Sequence, residues 1–262
     1  MRFLRFQLVA QTACVACLGI LLALVTTHAQ PSKTNSPPPP VVMETNIVEK
    51  AMTLIRQRKY AEAHELLLPA AEKGEAEPQA LLGQTYNAGW GVPVDYQQAF
   101  KWWSRAAEGG STDGQWGLGW LYDEGHGVPR DSQKAAQWWK KAADAGNIKA
   151  TVSLAFLYEE GRGIKLDLKE SARLFGLGAK AGEPAAQLNY GLKVLHGEGV
   201  QQNQLLGCAW LAVAAESPRI KGTSFAEKIR TQKDKAWREL SVGNREKAER
   251  LKNEMQSRIK AD

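Results

Sequence analysis

The sequence predicts an all-α fold, an α-solenoid of antiparallel helix pairs. Three observations predict it: a 36-residue internal period, glycines that fall at the same phase of each period, and apolar residues at helical spacing between them. Aligned without a gap, residues 77–112 share with 113–148 the residues Leu82, Gly83, Tyr86, Gly89, Gly91, Val92, Pro93, Asp95, Ala99, Trp102, Trp103, Ala106, Ala107 and Gly110, each of which recurs 36 positions later. The third copy keeps Tyr158, Gly161, Gly163, Ile164, Asp167, Ala179 and Gly182, with Leu174 and Phe175 replacing the tryptophan pair. The fourth keeps Gly191, Gly197, Gly199, Val200, Trp210, Ala214 and Ala215, with Asn203 in place of the aspartate.

Taken in chain order, residues 1–29 predict a signal peptide. Arg2 and Arg5 precede an apolar stretch from Leu8 to Val25, and Thr27 and Ala29 make a small-residue exit, so cleavage after Ala29 would leave Gln30 at the terminus. The alternative is an uncleaved inner-membrane anchor, since about 18 mostly apolar residues can just cross a bilayer, although Gln11 and Thr12 interrupt them. Cys17 lacks the upstream apolar residues expected of a lipid-modified cysteine. Residues 30–45 form a Pro-rich linker, because the PSKTNSPPPP run cannot donate helical hydrogen bonds and holds the chain extended.

Residues 46–76 predict a degenerate capping helix pair. Ala63, Ala70, Ala71 and Gly74 sit one period before Ala99, Ala106, Ala107 and Gly110, but the glycine loop is missing. Residues 77–217 then carry four repeats of two short helices each. In the second, Leu118, Gly119 and Tyr122 share one face of the first helix, Gly125 ends it with a positive φ, and Asp131 caps the next. In the third, Asp167 with Glu170 has the spacing of a capping box. The second helix of the second repeat presents Ala135, Trp138 and Ala142, followed by Gly146; small residues admit close helix approach while the rings fill gaps. Neither helix is long enough to be stable alone, so each pair depends on its neighbour.

Residues 218–262 predict basic C-terminal capping helices. Ser224 with Glu227 can box the first, whose apolar face is Phe225, Ile229, Trp237 and Leu240; after Gly243 and Asn244, the residues Ala248, Leu251, Met255 and Ile259 give another. The charge is unevenly placed: residues 30–217 hold 19 basic and 21 acidic side chains, whereas 218–262 hold 13 and 7. Such a tail either shields the last repeat or makes weak contact with an anionic membrane surface or acidic partner. Nucleic acid is not an expected partner of an exported chain.

The recurring pattern A-x-x-x-L-G-x-x-Y-x-x-G-x-G-V-x-x-D-x-x-x-A-x-x-W-x-x-x-A-A-x-x-G resembles the Sel1-like repeat, a relative of the tetratricopeptide repeat, over residues 77–217. The resemblance implies a right-handed superhelix of antiparallel helix pairs serving as an adaptor or scaffold. Bacterial members with export signals include regulators that grip sensor proteins, envelope-assembly factors and proteins acting on host proteins. A cysteine-rich branch is associated with β-lactam binding or hydrolysis, but its paired cysteines are absent here, and a cell-wall-related enzyme or binder is therefore the lesser alternative, beside a secreted effector.

No enzyme chemistry assembles from the residues. The Gly-x-Gly follows a predicted helix rather than a strand, and Val94 occupies the place of the third glycine in a dinucleotide fingerprint. His64, His126 and His196 fall at non-equivalent positions without ligand spacing, so neither a metal nor another cofactor is expected, nor a small-molecule substrate. Cys208 stands at a small-residue position equivalent to Ala136 and Ala172 and reads as packing. The doublets Asp123–Glu124 and Glu159–Glu160 recur one period apart and read as a solvated acidic ridge.

A protein partner bound on the concave face is the expected function. Gln84, Trp120, Phe156 and Leu192 are equivalent and lie about half a turn from the Leu-Gly-Tyr stripe, so they form either an apolar strip on that face or a seam packed between repeats. Trp90, His126, Arg162 and Glu198, each between two loop glycines, form a second, variable row expected to be exposed at a rim.

Overall fold

The structure, a computed structural model, describes residues 47–259; the signal-peptide and linker assignments lie outside the described residues. It contains twelve α-helices and, among the described residues, no strand. Helices α1 (Ile47–Arg56) and α2 (Tyr60–Glu72) form the first pair. The four regular repeats follow as α3 (Ala76–Ala88) with α4 (Tyr96–Glu108), α5 (Thr112–Glu124) with α6 (Ser132–Asp144), α7 (Ile148–Glu160) with α8 (Leu168–Lys180), and α9 (Pro184–His196) with α10 (Gln204–Ala215). A 3-10 turn at Pro218–Ile220 leads to α11 (Ser224–Arg238) and α12 (Val242–Ile259). Each helix packs on its sequence neighbour through α10, and both α11 and α12 pack on α10.

The 36-residue period is written in the backbone as well as the sequence. First helices begin at 76, 112, 148 and 184, and second helices at 96, 132, 168 and 204. Every first helix ends on a left-handed glycine, such as Gly125 at φ 74°, whose amide donates back to Leu121 O. Every second helix starts on a capping carboxylate or amide: Asp95, Asp131, Asp167 and Asn203 each accept a main-chain N–H from the first turn. The capping box at Asp167 is only half made. Its own amide donates to Tyr158 O at 2.9 Å, which leaves Glu170 free to pair with Arg173 instead.

What stacks the pairs is a large buried apolar side chain at the second position of each doublet. Trp103, Trp139, Phe175 and Leu211, 36 residues apart, are all fully buried, whereas Trp138, assigned to the core from its spacing, is half-buried. The indole Nε1 of Trp103 donates to Ala80 O, and that of Trp139 to Trp116 O, both at 2.9 Å. Gly83 and Gly119 lie under these rings, where a Cβ would sit 2.5 Å from a ring atom. A second recurring bond ties repeat to repeat: the amide of Gln79, Gln115 or Gln187 donates to Ala71 O, Ala107 O or Ala179 O, a terminal carbonyl of the preceding second helix.

At the C-terminus, Thr223 rather than Ser224 caps α11, accepting from Ala226 N. Phe225, Ile229 and Leu240 are buried, and Trp237 is half-buried. The last helix runs through Gly243 and Asn244 instead of starting after them. Ala248 is buried, and Lys252 is buried between Glu216 and Glu249. Among the described residues, no helix is long and apolar enough to cross a membrane.

Candidate functional site

First helices of the first two repeats approach one another directly, a closeness that no pair of second helices matches among the described residues. Over these repeats the first helices lie on the inner side of the stack, and at the far end Leu188 of α9 packs against the Phe225–Ile229 cluster of α11. The inner face is therefore where a solenoid presents a continuous surface, and the residues predicted to bind are tested against it.

The row Gln84, Trp120, Phe156 and Leu192 is mostly a packed seam. Phe156 is 1% exposed and meets Phe175 edge-on at 4.9 Å, so it is not available to a partner. Trp120 is half-buried in an aromatic cluster with Tyr96, Trp103 and His126, at centroid distances of 6.3, 6.5 and 5.0 Å. Gln84 on α3 and Leu192 on α9 are half-buried as well. Of the two alternatives left open by the sequence, the packed seam holds at Phe156, and the other three positions are half-buried.

In the rim row Trp90, His126 and Arg162 are engaged rather than freely exposed, while Glu198 is exposed as expected. Trp90 stacks on Tyr60 and His126 on Tyr96, both rings belonging to the start of the preceding second helix. The second loop glycine makes this possible: a Cβ on Gly127, at φ 70°, would lie 2.8 Å from Tyr96 O. Arg162 pairs with Asp123 at 2.6 Å and Glu160 at 2.7 Å. Burial opposes the guanidinium charge, but the two carboxylates outweigh it and hold its pKa above the ordinary value.

That pairing overturns the solvated acidic ridge. Asp123 is 0% exposed and also accepts from Ser132 Oγ at 3.0 Å, while Glu159 is 14% exposed and receives Lys193 at 3.0 Å. Each carboxylate is joined to a cation of the following repeat, forming a ladder between repeats that sequence spacing left unmatched. Burial, reinforced by Asp123, pushes the neighbouring Glu124 carboxyl above its usual range.

The ladder ends in a recess of about 240 Å³ lined by Glu159, Asn189, Leu192, Lys193, His196, Glu198 and Gln232. It forms where α9 meets the end of α7 and the side of α11, so it brings Leu192 of the predicted strip together with Glu198 of the rim row, Glu159 of the acidic doublets and His196, and with Asn189, Lys193 and Gln232, which the sequence reading did not single out. The signal available in the sequence was Lys193, which interrupts a column occupied by Leu121 and Leu157 in the preceding repeats. Cys208 is buried behind this region, and burial raises its thiol pKa to about 11, so it is held as a neutral thiol. No group of three or more His, Cys, Asp or Glu is placed to hold a metal ion among the described residues.

The Sel1 repeat family matches residues 55–75, 79–111, 112–147, 148–183 and 184–217. The chain belongs to the Sel1 repeat family. The match to 55–75 covers much of the α1–α2 pair, although that pair lacks the glycine loop. Among solved structures, a Sel1 repeat protein from Oxalobacter formigenes is 30% identical with a TM-score of 0.56, over 66% of this chain and 49% of that one. The chain thus spans about half the length of that relative. A protective antigen of uropathogenic Escherichia coli strains is 21% identical, with a TM-score of 0.45 over 81% of this chain and 61% of that one. An immunity protein from Pseudomonas aeruginosa is 17% identical, with a TM-score of 0.47 over 80% of this chain and 83% of that one. No curated protein sequence matched the chain. Sel1 repeats generally mediate protein–protein interaction, and the α-solenoid predicted from the period is the fold observed.

Proposed function

We propose that this Sel1 repeat protein is an exported adaptor of the bacterial envelope that holds a protein partner against its inner face and does not itself catalyse a reaction. The observation that carries the reading is the recess where the row of first helices meets the C-terminal cap. Side chains of neighbouring repeats are locked there by ion pairs, so the surface is formed before a partner arrives and little ordering is needed on binding. Gln84, Trp120 and Leu192 are the partly exposed members of the sequence-predicted row, with His196 and Gln232 beside Leu192.

Site-specific photo-crosslinking in cells tests it. A benzophenone amino acid at exposed His196 on α9 should yield a discrete higher-mass adduct, and the same group at exposed Gln137 on α6 should not. Adducts from Gln137 alone would contradict an inner-face site. Export is tested separately by fractionation: recovery in the periplasmic fraction with Gln30 as the first residue supports it, and a cytoplasmic chain starting at Met1 contradicts it.

A further inference from the structure

Among the 18 residues of α12 only Ala248 and Lys252 are buried, so one of the two deep contacts of this helix is a charge. Ala248 closes a cluster with Cys208 and Leu211 of α10 and with Ala236 and Leu240. Lys252 Nζ donates to Glu216 Oε1 at 2.8 Å, at the end of α10, and to Glu249 on α12 itself, while Gln256 Nε2 donates to Glu216 Oε2 at 3.0 Å. Leu251, Met255 and Ile259 are half-buried. A buried ammonium is costly unless paired. Its two carboxylates are 51% and 48% exposed, so solvent protons reach the partners while the ammonium stays covered. Lys233 of α11 adds a positive charge near Glu216 and is itself paired with Asp234 at 2.9 Å. The start of α12 is tied differently: Arg245 Nε donates to Trp237 O at 3.0 Å and its Nη2 to Arg238 O at 3.3 Å.

We propose that α12 is a charge-latched arm, docked along α10 while Lys252 is paired and released as a unit, about the turn that Arg245 holds, when acid neutralises Glu216 and Glu249. A neutral carboxyl leaves the ammonium covered without a counter-charge, and undocking returns it to water. Burial opposes the charge of Glu216, but the hydrogen bonds from Lys252 and Gln256 outweigh it and hold its carboxyl below the ordinary range. The latch is therefore complete above the unfolded carboxylate's value of about 4.3 and is lost as pH falls through the lowered native one. Burial opposes the Lys252 charge too, but the two carboxylates outweigh it and hold its pKa above the ordinary value, so it stays an ammonium throughout the acid range. Release takes the Ala248 wall away from Cys208 and Leu211 and bares an apolar side of α10. Because α11 has its own buried anchors in Phe225 and Ile229, the recess and the inner-face reading do not depend on this movement.

Hydrogen–deuterium exchange of the intact protein at about pH 7 and about pH 3.5, on either side of the ordinary carboxylate value, tests this. In the wild type, residues 242–259 should lose protection on acidification while α3 to α8 keep theirs. Glu216→Gln should speed exchange in α12 about tenfold already at neutral pH, the size of a hydrogen bond to a charged group. Lys252→Met keeps the length of the stem without the charge, so its α12 should stay protected at both pH values, since a buried ion pair replaced by apolar atoms often costs nothing. Protection of α3 to α8 in both variants serves as the folding control. The proposal is overturned by equal acid loss in Lys252→Met and the wild type, by α12 unchanged at acid pH or in Glu216→Gln, or by all helices opening together.

Discussion

The same substitution, glycine to alanine, should have opposite effects at two positions because their surroundings differ. At Gly119 a Cβ would lie 2.5 Å from Trp139 Nε1, a ring that is fully buried and tied to Trp116 O. Gly119→Ala should therefore cost about 1–3 kcal/mol, as overpacked cores do. Gly243 in α12 has nothing within 4 Å of that point, so Gly243→Ala should gain up to about 1 kcal/mol of helix propensity. Urea unfolding midpoints of the two variants check the contrast; equal effects would mean that the Gly119–indole contact is slack.

His64 carries a pH dependence of defined sign. Thr85 Oγ1 donates to Leu82 O at 2.7 Å, so it accepts from His64 Nδ1 at 2.9 Å, and the ring lies edge-on to Tyr86. Burial holds the imidazole pKa below its ordinary value of about 6.5, partly offset by Glu65. As pH falls, the unfolded chain takes up the proton first, so the stabilisation is complete above the unfolded value of about 6.5 and fades as pH drops through it. Unfolding midpoints measured on either side of that value should fall on acidification more steeply for the wild type than for His64→Gln. Parallel lines would assign the dependence to other groups.

At the scale of elements, the second helices depend on their caps. Asp95 Oδ1 accepts from Gln97 N at 2.9 Å and Gln98 N at 3.0 Å. Asp95→Ala should destabilise by about 1 kcal/mol and strip hydrogen-exchange protection from those two amides first. These caps, and the left-handed glycines that end the first helices, were legible in the sequence because each is a local requirement repeated at a fixed offset. Packing phase was not. Adjacent tryptophans differ by about a quarter turn, and only Gly119 beneath the ring decides that Trp139 rather than Trp138 is the deeper one. The acidic doublets misled for a related reason. Asp123 and Glu159 find Arg162 and Lys193 roughly one period further along, a pairing visible only once the repeats are stacked.

At the scale of the whole molecule, a stack that repeats every 36 residues should tolerate removal of one whole period. Deleting 113–148 keeps every helix junction in register and should leave a shorter rod that is helical and folds cooperatively, whereas deleting 18 residues from the same region should not. Circular dichroism with size-exclusion chromatography separates the outcomes. The end of that rod is where the period breaks, since α11 and α12 both turn onto α10 and no glycine loop follows. The recess is a product of that break. Its lining residues come from α7, α9, α11 and the loop after α9, which is why equivalence between repeats singled out Leu192, Glu159 and Glu198 in three separate rows without showing that they meet. The most direct test of partner binding on the inner face is hydrogen–deuterium exchange of the protein alone and with its crosslink-identified partner. Added protection should gather on the first helices and be strongest around residues 189–198 and Gln232; protection confined to α4, α6 and α8 would contradict the account.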